Sequence, residues 1–525
     1  MEKESDLNMT MFKAYDIRTK SKKLNINIIK RLIKAIGRYY IEILKCESVV
    51  IARDARLAAP EIMQVAIDYF PSIGIDVIIN PAQISTCQFY YSCMQNLDSA
   101  GIMITASHNP GEYIGLKLMA QNVQTLATDC GPEGGIRQIK QYYIENKDYK
   151  PLNRKAGIKI KRYTDDFINY SMQLANIKEG SLKGANILCD FLNGAVGSEI
   201  GETLQKCGAN VTMRNLVPDG YFPIGDPNPS ILSSVKQTWE YIKTGNYDFG
   251  FCYDGDGDRF DIITKEGIQI APAFNITVLL PELKKIYQSA KEQNYFNPDN
   301  KFFNVYADVK ANPLSMKLQS SSDTKVHIIR NGHSFIKEAL RKHSKEQYLI
   351  SSEESAHYYL NCPIDLKDST KGFAATENTL FFSLLTAKVW FNNPKKYLDI
   401  LKIQDSLFRI REWPCHFLVE EKMEEIMEKV EKTFKEKGLT IIKSMEDGND
   451  LDATLMRYNL PEIITHETDM EQPWFQVAQR ISRSEEGMTR WEIVSNNKEL
   501  AIKANNTVKE ITDWYVKNNF AEYCE

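Results

Sequence analysis

The chain has 525 residues, of which 43% are hydrophobic and 26% are charged, and its formal net charge is −4. This length exceeds what one hydrophobic core usually serves, so three or four domains are expected, and the composition is typical of a soluble globular protein. The nearly balanced charge offers no basic field for nucleic acid. Because no run of about 18 uncharged apolar residues occurs, no membrane-spanning helix is predicted.

The ten cysteines form no C-x-x-C pair, and several lie within apolar runs. This usage favours buried free thiols in a reducing compartment over disulfides or zinc sites. No apolar segment follows the charged start of the chain, so no signal peptide is predicted. Together these features predict a cytoplasmic protein. No repeat or coiled-coil pattern demands assembly, so a monomer or a dimer is expected.

The first third of the chain alternates helix and strand patterns. Apolar residues recur at helical spacing from Ile28 to Ile43, and a second helix is predicted to open after Pro60. Apolar runs predict strands at 48–52, 75–79 and 100–104. This alternation indicates an α/β domain whose mixed sheet is covered by helices on both faces.

A serine segment follows the third of these strands: Thr105-Ala106-Ser107-His108-Asn109-Pro110. One interpretation is an ordinary turn, in which Ser and Asn bond to nearby backbone and Pro sets φ. The other is a nucleophile at Ser107 that has a base nearby. A hydrolase does not fit, because no G-x-S-x-G elbow surrounds the serine.

A second α/β unit begins at 185–189 and ends with the apolar run 249–253, which leads into Asp254-Gly255-Asp256-Gly257-Asp258-Arg259. Three alternating carboxylates are directed at one small volume, and they repel each other unless a hard cation such as Mg²⁺ or Ca²⁺ lies between them. A solvated acidic turn is the alternative. An EF-hand loop is excluded because Lys265 stands at the twelfth position, where a ligating Glu is needed.

A third unit shows strand patterns at 302–307, 325–329 and 347–351, followed by the polar segment 353–357. In all three units the polar segment comes just past the carboxyl end of a strand, where open α/β sheets usually carry their sites. A charged helical stretch around 422–437 marks a different, carboxyl-terminal region.

The serine and acidic segments, in this order, resemble those of the α-D-phosphohexomutases, the phosphomannomutase and phosphoglucomutase superfamily. Further resemblance extends along the whole chain. It is carried by Phe12-Lys13-Ala14-Tyr15-Asp16-Ile17-Arg18, Arg53-Asp54-Ala55-Arg56, Gly115-Leu116-Lys117, Pro218-Asp219-Gly220-Tyr221-Phe222-Pro223, Asp308-Val309-Lys310, Gly332-His333-Ser334, Glu353-Glu354-Ser355-Ala356-His357 and Arg480-Ile481-Ser482-Arg483-Ser484-Glu485. The Ser-Ala-His ending and the aromatic pair after it look most like bacterial phosphomannomutases.

The resemblance implies three tandem α/β domains with mixed sheets and a smaller α+β domain at the carboxyl end, arranged around a central cleft. The expected boundaries are 1–154 for the domain with the phosphoserine loop, 155–262 for the metal loop, 263–385 for the sugar loop and 386–525 for the phosphate loop.

The resemblance also implies an activity. The enzyme would interconvert hexose 6-phosphate and hexose 1-phosphate, with mannose as the first choice of sugar and glucose as the second. A phosphoserine at 107 would donate to the substrate, and the resulting hexose 1,6-bisphosphate would reorient in the cleft before returning its other phosphate. Mg²⁺ and the bisphosphate are the expected cofactors, and hexose phosphates are the expected partners.

The implied residue roles fall into four groups. The catalytic candidates are Ser107, His108, Lys117 and Arg18. The metal ligands would be Asp254, Asp256, Asp258 and the Ser107 oxygen. The substrate contacts would be Tyr15, Arg259, Lys310, His333, Glu353, Ser355 and His357. The phosphate contacts would be Arg480, Ser482, Arg483 and Ser484. Lys117 would serve as a base only if burial or nearby positive charge lowers its pKa.

Several positions depart from the family pattern. Ser484 stands for Thr, Arg483 replaces a small or amide residue, Ser352 replaces Gly, and an apparent insertion includes 461–466, for which a surface hairpin is expected. Without the resemblance, Lys117 would be read as a surface lysine, 353–357 as a helix start and 480–485 as a polar turn. A phosphoglucosamine mutase, a strict phosphoglucomutase and a non-catalytic sugar-phosphate-binding paralogue remain the alternatives.

Overall fold

The structure, a computed structural model, describes residues 7–293, 299, 301–343, 348–482 and 487–524, with only the backbone at 348 and 349. The helices in these residues are α1 Ile26–Glu42, α2 Ala59–Ser72, α3 Thr86–Met94, α4 Ile136–Glu145, α5 Thr164–Leu174, α6 Gly197–Lys206, α7 Leu232–Thr244, α8 Pro272–Glu292, α9 Pro313–Gln319, α10 His333–Lys342, α11 Thr379–Asn392, α12 Pro394–Asp405, α13 Glu420–Glu436 and α14 Lys498–Lys517.

The strands that form the first two sheets are β1 Ile17–Lys20, β2 Ser48–Arg53, β3 Asp76–Gln83, β4 Ala100–Ile104, β5 Tyr113–Ala120, β6 Gln124–Leu126, β7 Ile158–Ile160, β8 Asn186–Asp190, β9 Asn210–Arg214, β10 Phe249–Tyr253, β11 Phe260–Thr264 and β12 Gln269–Ile270. The other two sheets contain β13 Phe303–Asp308, β14 Thr324–Ile329, β15 Tyr348–Ser352, β16 Tyr358–Pro363, β17 Phe373–Glu377, β18 Phe408–Phe417, β19 Thr440–Ser444, β20 Asp450–Tyr458, β21 Phe475–Ile481, β22 Met488–Ser495 and β23 Ala521–Tyr523.

Three of the four sheets repeat one topology. Their strand orders are β3-β2-β4-β5-β6, β9-β8-β10-β11-β12 and β14-β13-β15-β16-β17, with β1 and β7 added to the first sheet. In each sheet the first three strands of the order pair in parallel. The fourth and fifth strands each pair antiparallel with the strand before them in the order. Helices connect the parallel strands, as βαβ units require. The chain therefore folds as three α/β units, which confirms the predicted fold class.

The loop that follows the third parallel strand occupies the same place in each unit. It carries Ser107 after β4, Asp254–Asp258 after β10 and Glu353–His357 after β15. Each loop contains one residue in the left-handed region: Ser107 with φ 52°, Gly257 with φ 67° and Ala356 with φ 71°. A shared topology thus brings three different loops to the same edge of their sheets.

The fourth sheet is different, because all six of its strands pair antiparallel, in the order β19-β20-β21-β22-β18-β23. Helices α13 and α14 cover it, and their buried residues share one core with the sheet. Its β18 and β22 shift register between Ile410 and Trp413. This antiparallel sheet with flanking helices matches the smaller α+β unit that was expected.

The expected surface hairpin at the insertion is only partly right. The connection from 459 to 474 does join the antiparallel pair β20 and β21. However, Leu460, Ile464, Met470 and Trp474 are buried in the large core that also includes residues of the third unit. Burial of this apolar surface stabilises the contact between the third and fourth units.

The predicted domain boundaries at 154, 262 and 385 stay predictions. Two short edge strands lie just past the first two boundaries. They are β7, which pairs with β3, and β12, which pairs with β11. In the part of the chain that the structure describes, no helix combines the length and apolar character that crossing a bilayer requires.

Candidate active site

The serine loop is held from beneath by Arg56, which is 1% exposed. Its guanidinium donates to four backbone carbonyls of the loop, those of Ser107, Asn109, Pro110 and Tyr113. Asp54 pairs with Arg56 at 3.2 Å and accepts a hydrogen bond from the Thr105 hydroxyl at 2.7 Å. The Arg53–Arg56 segment therefore fixes the shape of this loop.

Ser107 lies at the meeting point of two loops and is 2% exposed. Its Oγ is 3.3 Å from His108 Nδ1 and 3.4 Å from Asp254 Oδ2. The left-handed φ is uncommon for serine, and such strain is concentrated at functional sites. Burial, together with the positive charges of Arg259 and Arg18, lowers the pKa of His108 well below its ordinary value. The imidazole beside the serine is therefore neutral.

The three carboxylates of the acidic loop, Asp254, Asp256 and Asp258, are at most 1% exposed, and one oxygen from each lies within 4.8 Å of an oxygen of the other two. Among the described residues, Asp256 Oδ1 and Asp258 Oδ1 find no hydrogen-bond partner. Burial and repulsion from the other two carboxylates raise the pKa of Asp254 well above its ordinary value. Crowded carboxylate oxygens with free lone pairs, next to a serine hydroxyl, fit a hard divalent cation.

Lys117 projects from β5 into the same cluster. Its Nζ donates to Asp256 Oδ2 at 2.6 Å and also to Asp258 Oδ2. Burial alone would lower the pKa of Lys117, but the carboxylates of Asp256 and Asp258 raise it above the ordinary value. Lys117 is therefore an ammonium ion in this arrangement, and the condition set for a basic Lys117, a lowered pKa, is not met.

A second buried charge network joins the acidic loop to the third unit. Arg259 Nε donates to His357 Nε2 at 2.7 Å, so the proton of the imidazole lies on Nδ1, which donates to Glu377 Oε1 at 2.6 Å. Glu377 also accepts a hydrogen bond from Lys337 at 2.8 Å. Burial would raise the pKa of Glu377, but Lys337 and His357 lower it to about 2. Both nitrogens of His357 are thus engaged within the protein.

The segment predicted to read the sugar presents few free groups. Glu353 is 4% exposed, accepts from the Gly332 amide at 3.0 Å and bonds to the Tyr359 hydroxyl. Ser355 is half-buried at the cleft wall. Within the described residues, the buried atoms His333 Nε2 and Asn331 Oδ1 have no hydrogen-bond partner, and both residues line the cleft. These atoms can bond to the hydroxyls of a sugar.

The fourth unit closes the cleft with arginines and carboxylates. Arg480 donates to both oxygens of Glu412, at 2.7 and 2.9 Å. Arg409 bridges Glu354 of the sugar loop at 2.8 Å and Glu492 at 2.6 Å. Ser482 is 8% exposed and does not line the cleft. The predicted phosphate contacts Arg483 and Ser484 lie outside the described residues.

One cleft of about 1280 Å³ collects most of the predicted residues. Those that line it are Tyr15, Arg18, Ser107, His108, Lys117, Arg259, Lys310, His333, Glu353, Ser355, His357 and Arg480. The three aspartates do not line the cleft, but they contact Ser107 and Lys117, which do. The roles assigned to these residues stay predictions, although the geometry does bring the residues together.

Comparison with known proteins identifies the chain. Residues 9–139 match the family model for α/β/α domain I of phosphoglucomutase/phosphomannomutase, and residues 161–267 match the model for domain II. The chain belongs to the α-D-phosphohexomutase superfamily. Enzymes of this superfamily are intramolecular phosphotransferases, and this chain is an enzyme of that class.

Individual relatives support the same assignment over more of the chain. A phosphomannomutase from Escherichia coli K12 is 26% identical over 86% of this chain and 92% of its own length. A phosphoglucomutase from Neisseria meningitidis serogroup A is 27% identical over 66% of this chain and 70% of its own. The crystal structure of a phosphoglucomutase/phosphomannomutase family protein from Burkholderia thailandensis has the same fold, with TM-score 0.76, 18% identity and coverage of 98% and 99%.

Sequence reasoning missed several members of this phosphohexomutase site. Glu377 and Lys337 complete the network around His357, Asn331 faces the cleft, and Glu412 and Arg490 accompany Arg480. None of them belongs to the segments that carry the resemblance. Glu377 ends a buried strand, which was the only local signal for a carboxylate directed into the protein.

Proposed function

We propose that the enzyme interconverts hexose 6-phosphates and hexose 1-phosphates in this cleft by way of Ser107. Mannose is the sugar that we propose first, and glucose is the second candidate. The observation that carries the proposal is the position of Ser107 Oγ, between a neutral imidazole at 3.3 Å and the carboxylate cluster at 3.4 Å. A buried hydroxyl with a proton acceptor on one side and a cation site on the other suits phosphoryl transfer.

In the first half of the reaction, phosphorylated Ser107 gives its phosphoryl group to the free hydroxyl of the bound hexose phosphate. The bond from phosphorus to Oγ breaks, a bond from phosphorus to the sugar oxygen forms, and the proton of the hydroxyl passes to a base. His108 is the favoured base, because the lowered pKa keeps its imidazole neutral. The product is a hexose 1,6-bisphosphate.

In the second half, the bisphosphate turns round in the cleft and returns its other phosphate to Oγ. The imidazolium formed in the first half then gives its proton to the departing sugar oxygen, so protons balance over the cycle. The size of the cleft, about 1280 Å³, is compatible with reorientation inside it. A catalytic amount of the bisphosphate would prime an enzyme whose serine is unphosphorylated.

The acidic loop would hold the metal. Asp254, Asp256 and Asp258, together with an oxygen of the phosphoserine, would bind Mg²⁺, which when bound supplies positive charge to the oxygens of the transferring phosphoryl group. Lys117 and Arg259 supply fixed positive charge at the same place. Glu353 and Ser355 would bond to the sugar hydroxyls, and Arg480 with Lys310 would hold the phosphate that does not react.

The preference for mannose is supported by the Ser-Ala-His segment and by the named activity of the Escherichia coli relative. The test is a turnover assay with Mg²⁺ and a catalytic amount of hexose 1,6-bisphosphate. It compares mannose 1-phosphate, glucose 1-phosphate and glucosamine 1-phosphate. We expect mannose 1-phosphate to be turned over fastest, and Ser107→Ala to lower turnover by at least about a thousandfold.

Each other result has a distinct meaning. Fastest turnover of glucosamine 1-phosphate or glucose 1-phosphate would assign the enzyme to the corresponding mutase. Full activity of Ser107→Ala would contradict the role of the serine. Absence of turnover on all three sugars, with metal bound, would favour a non-catalytic binding protein.

A further inference from the structure

Two arginines of the fourth unit face each other across neighbouring strands. Arg480 on β21 and Arg490 on β22 are directly opposite partners in the antiparallel register. Like charges in that position repel each other unless an anion lies between them. The pair therefore forms a site that demands negative charge.

In this structure the negative charge comes from the protein itself. Glu412 accepts two parallel hydrogen bonds from Arg480, at 2.7 and 2.9 Å, and lies 3.5 Å from Arg490 Nη1. Burial would raise the pKa of Glu412, but Lys310 and the two arginines lower it to about 2. The side chain is thus a carboxylate at any physiological pH, and it touches the groups that a phosphate would use.

The backbone explains how Glu412 reaches this place. It lies where β18 and β22 shift register, between Ile410 and Trp413. A bulge of this kind redirects a side chain from the direction that regular pleating gives it. Glu412 therefore reaches the cleft wall from an irregular point of β18.

The three charged groups are accessible from the cleft. The side chains of Glu412, Arg480 and Arg490 are 19%, 18% and 20% exposed, and all three residues line the cleft. The bidentate geometry between Arg480 and Glu412 is also the geometry by which arginine binds phosphate. An incoming phosphate with two negative charges can replace a carboxylate with one.

We propose that Glu412 competes with the distal phosphate, the phosphate of the substrate that does not react, for binding to Arg480. Glu412 pairs with Arg480 in the ligand-free protein and is displaced when a sugar phosphate binds. This inference rests on the proposed function, in which Arg480 contacts the phosphate that does not react. The competition weakens the hold on that phosphate. Weaker binding of that phosphate to Arg480 allows the bisphosphate to dissociate from the arginine and reorient between the two half-reactions.

The test measures binding of inorganic phosphate and of glucose 6-phosphate to the full chain by titration calorimetry. For E412Q and E412A we expect binding about tenfold tighter than for the wild type, since a charged competitor is lost. Glu492→Gln is the matched control, because Glu492 is also a carboxylate paired with an arginine at the cleft wall. It removes one negative charge without freeing Arg480, so binding should tighten much less.

The outcomes separate this inference from the function on which it rests. Unchanged binding in both Glu412 variants, or equal tightening in Glu492→Gln, would overturn the competitor role. If Arg480→Ala then still weakens binding, the proposed phosphate position stands. If Arg480→Ala binds like the wild type, the phosphate position itself is wrong.

KM and kcat distinguish competition by Glu412 from a purely structural role of this residue. With the sugar phosphate that the wild type turns over best, E412Q should lower KM and also lower kcat, because tighter binding slows the release that reorientation needs. A raised KM with unchanged melting temperature would contradict the proposal. Circular dichroism and the melting temperature identify any variant that is misfolded, and E412Q preserves the shape of the side chain if E412A does not fold.

Discussion

The charged side chains at the two ends of the cleft differ in how deeply they are buried. At the metal-loop end, Lys117 and the aspartates are at most 4% exposed and are locked together across two domains. At the fourth-unit end, Arg480, Arg490 and Glu412 are each about a fifth exposed and pair with one another at the surface of the cleft. The first end is fixed by the fold before any ligand arrives, and the second is held by contacts that a ligand can replace.

This difference teaches how one cleft can serve two needs. Phosphoryl transfer requires fixed charges at the reacting atoms, which cost no reorganisation during the reaction. The distal phosphate must be held and then released, which requires exchangeable contacts. Substitutions at the buried end should therefore damage stability as well as activity, whereas those at the exposed end should mainly change binding.

The largest effect is expected from Lys117→Met. It leaves Asp256 and Asp258 without their buried cation, and breaking such a pair typically costs about 3–5 kcal/mol. We expect a marked loss of thermal stability in EDTA. Added Mg²⁺ should raise the melting temperature of the variant more than that of the wild type, because the ion replaces the lost charge.

The control for Lys117→Met is Lys159→Met, since Lys159 is exposed on an edge strand. It should alter the melting temperature little, with or without Mg²⁺. A Lys117→Met protein as stable as the wild type in EDTA would show that the buried end is not locked by this lysine.

The next effect concerns Glu377 and depends on pH. Its pKa is lowered from the ordinary 4.5 to about 2, so its contribution to stability is present above pH 4.5 and is lost as the pH falls toward 2. Glu377→Gln should lower the free energy of unfolding by about 3 kcal/mol near pH 7. Urea unfolding of both proteins from pH 7 to pH 2 should show this difference shrinking, and a difference independent of pH would argue against the ion pair with Lys337.

Effects should be smaller at the contact between the third and fourth units. Arg409→Ala removes the bridge from Glu354 to Glu492. Because about a third of the arginine side chain is exposed, we expect a loss of about 1 kcal/mol. The melting temperature should fall slightly, and KM for the sugar phosphate should rise severalfold. A larger loss of stability than that of Lys117→Met would reverse the contrast between the two ends.

The smallest effect should come from Ala356→Gly. Ala356 has φ 71°, a conformation that glycine adopts without strain. We expect this substitution to raise the free energy of unfolding by up to about 1 kcal/mol. The matched control is Ala307→Gly in strand β13, which should lower stability, because a strand interior gains nothing from glycine.

Much of the site was predictable because its residues follow strands in recognisable order. Apolar runs predicted β4 and β10, and the polar segments after them predicted the positions of Ser107 and the three aspartates. A shared topology explains why these loops meet. The protonation state of Lys117 was not predictable, because it depends on carboxylates 139 and 141 residues away.

The fourth unit was less predictable for a similar reason. Glu412 reaches Arg480 through a shift in strand register, and that shift depends on pairing with β22 rather than on a local pattern. The buried face of the insertion was also missed, since the apolar residues from Leu460 to Trp474 follow neither strand nor helix spacing.

The central claim is that Ser107 carries the phosphoryl group between the two half-reactions. The most direct test is mass spectrometry of the protein after incubation with hexose 1,6-bisphosphate and Mg²⁺. We predict one phosphoryl group, located on the peptide that contains Ser107. When that group carries an oxygen-18 label, addition of unlabelled mannose 6-phosphate should move the label to mannose 1-phosphate and leave an unlabelled phosphoryl group on Ser107. Turnover of sugar phosphates by a protein that never carries phosphate on Ser107, or carries it on another residue, would contradict the account.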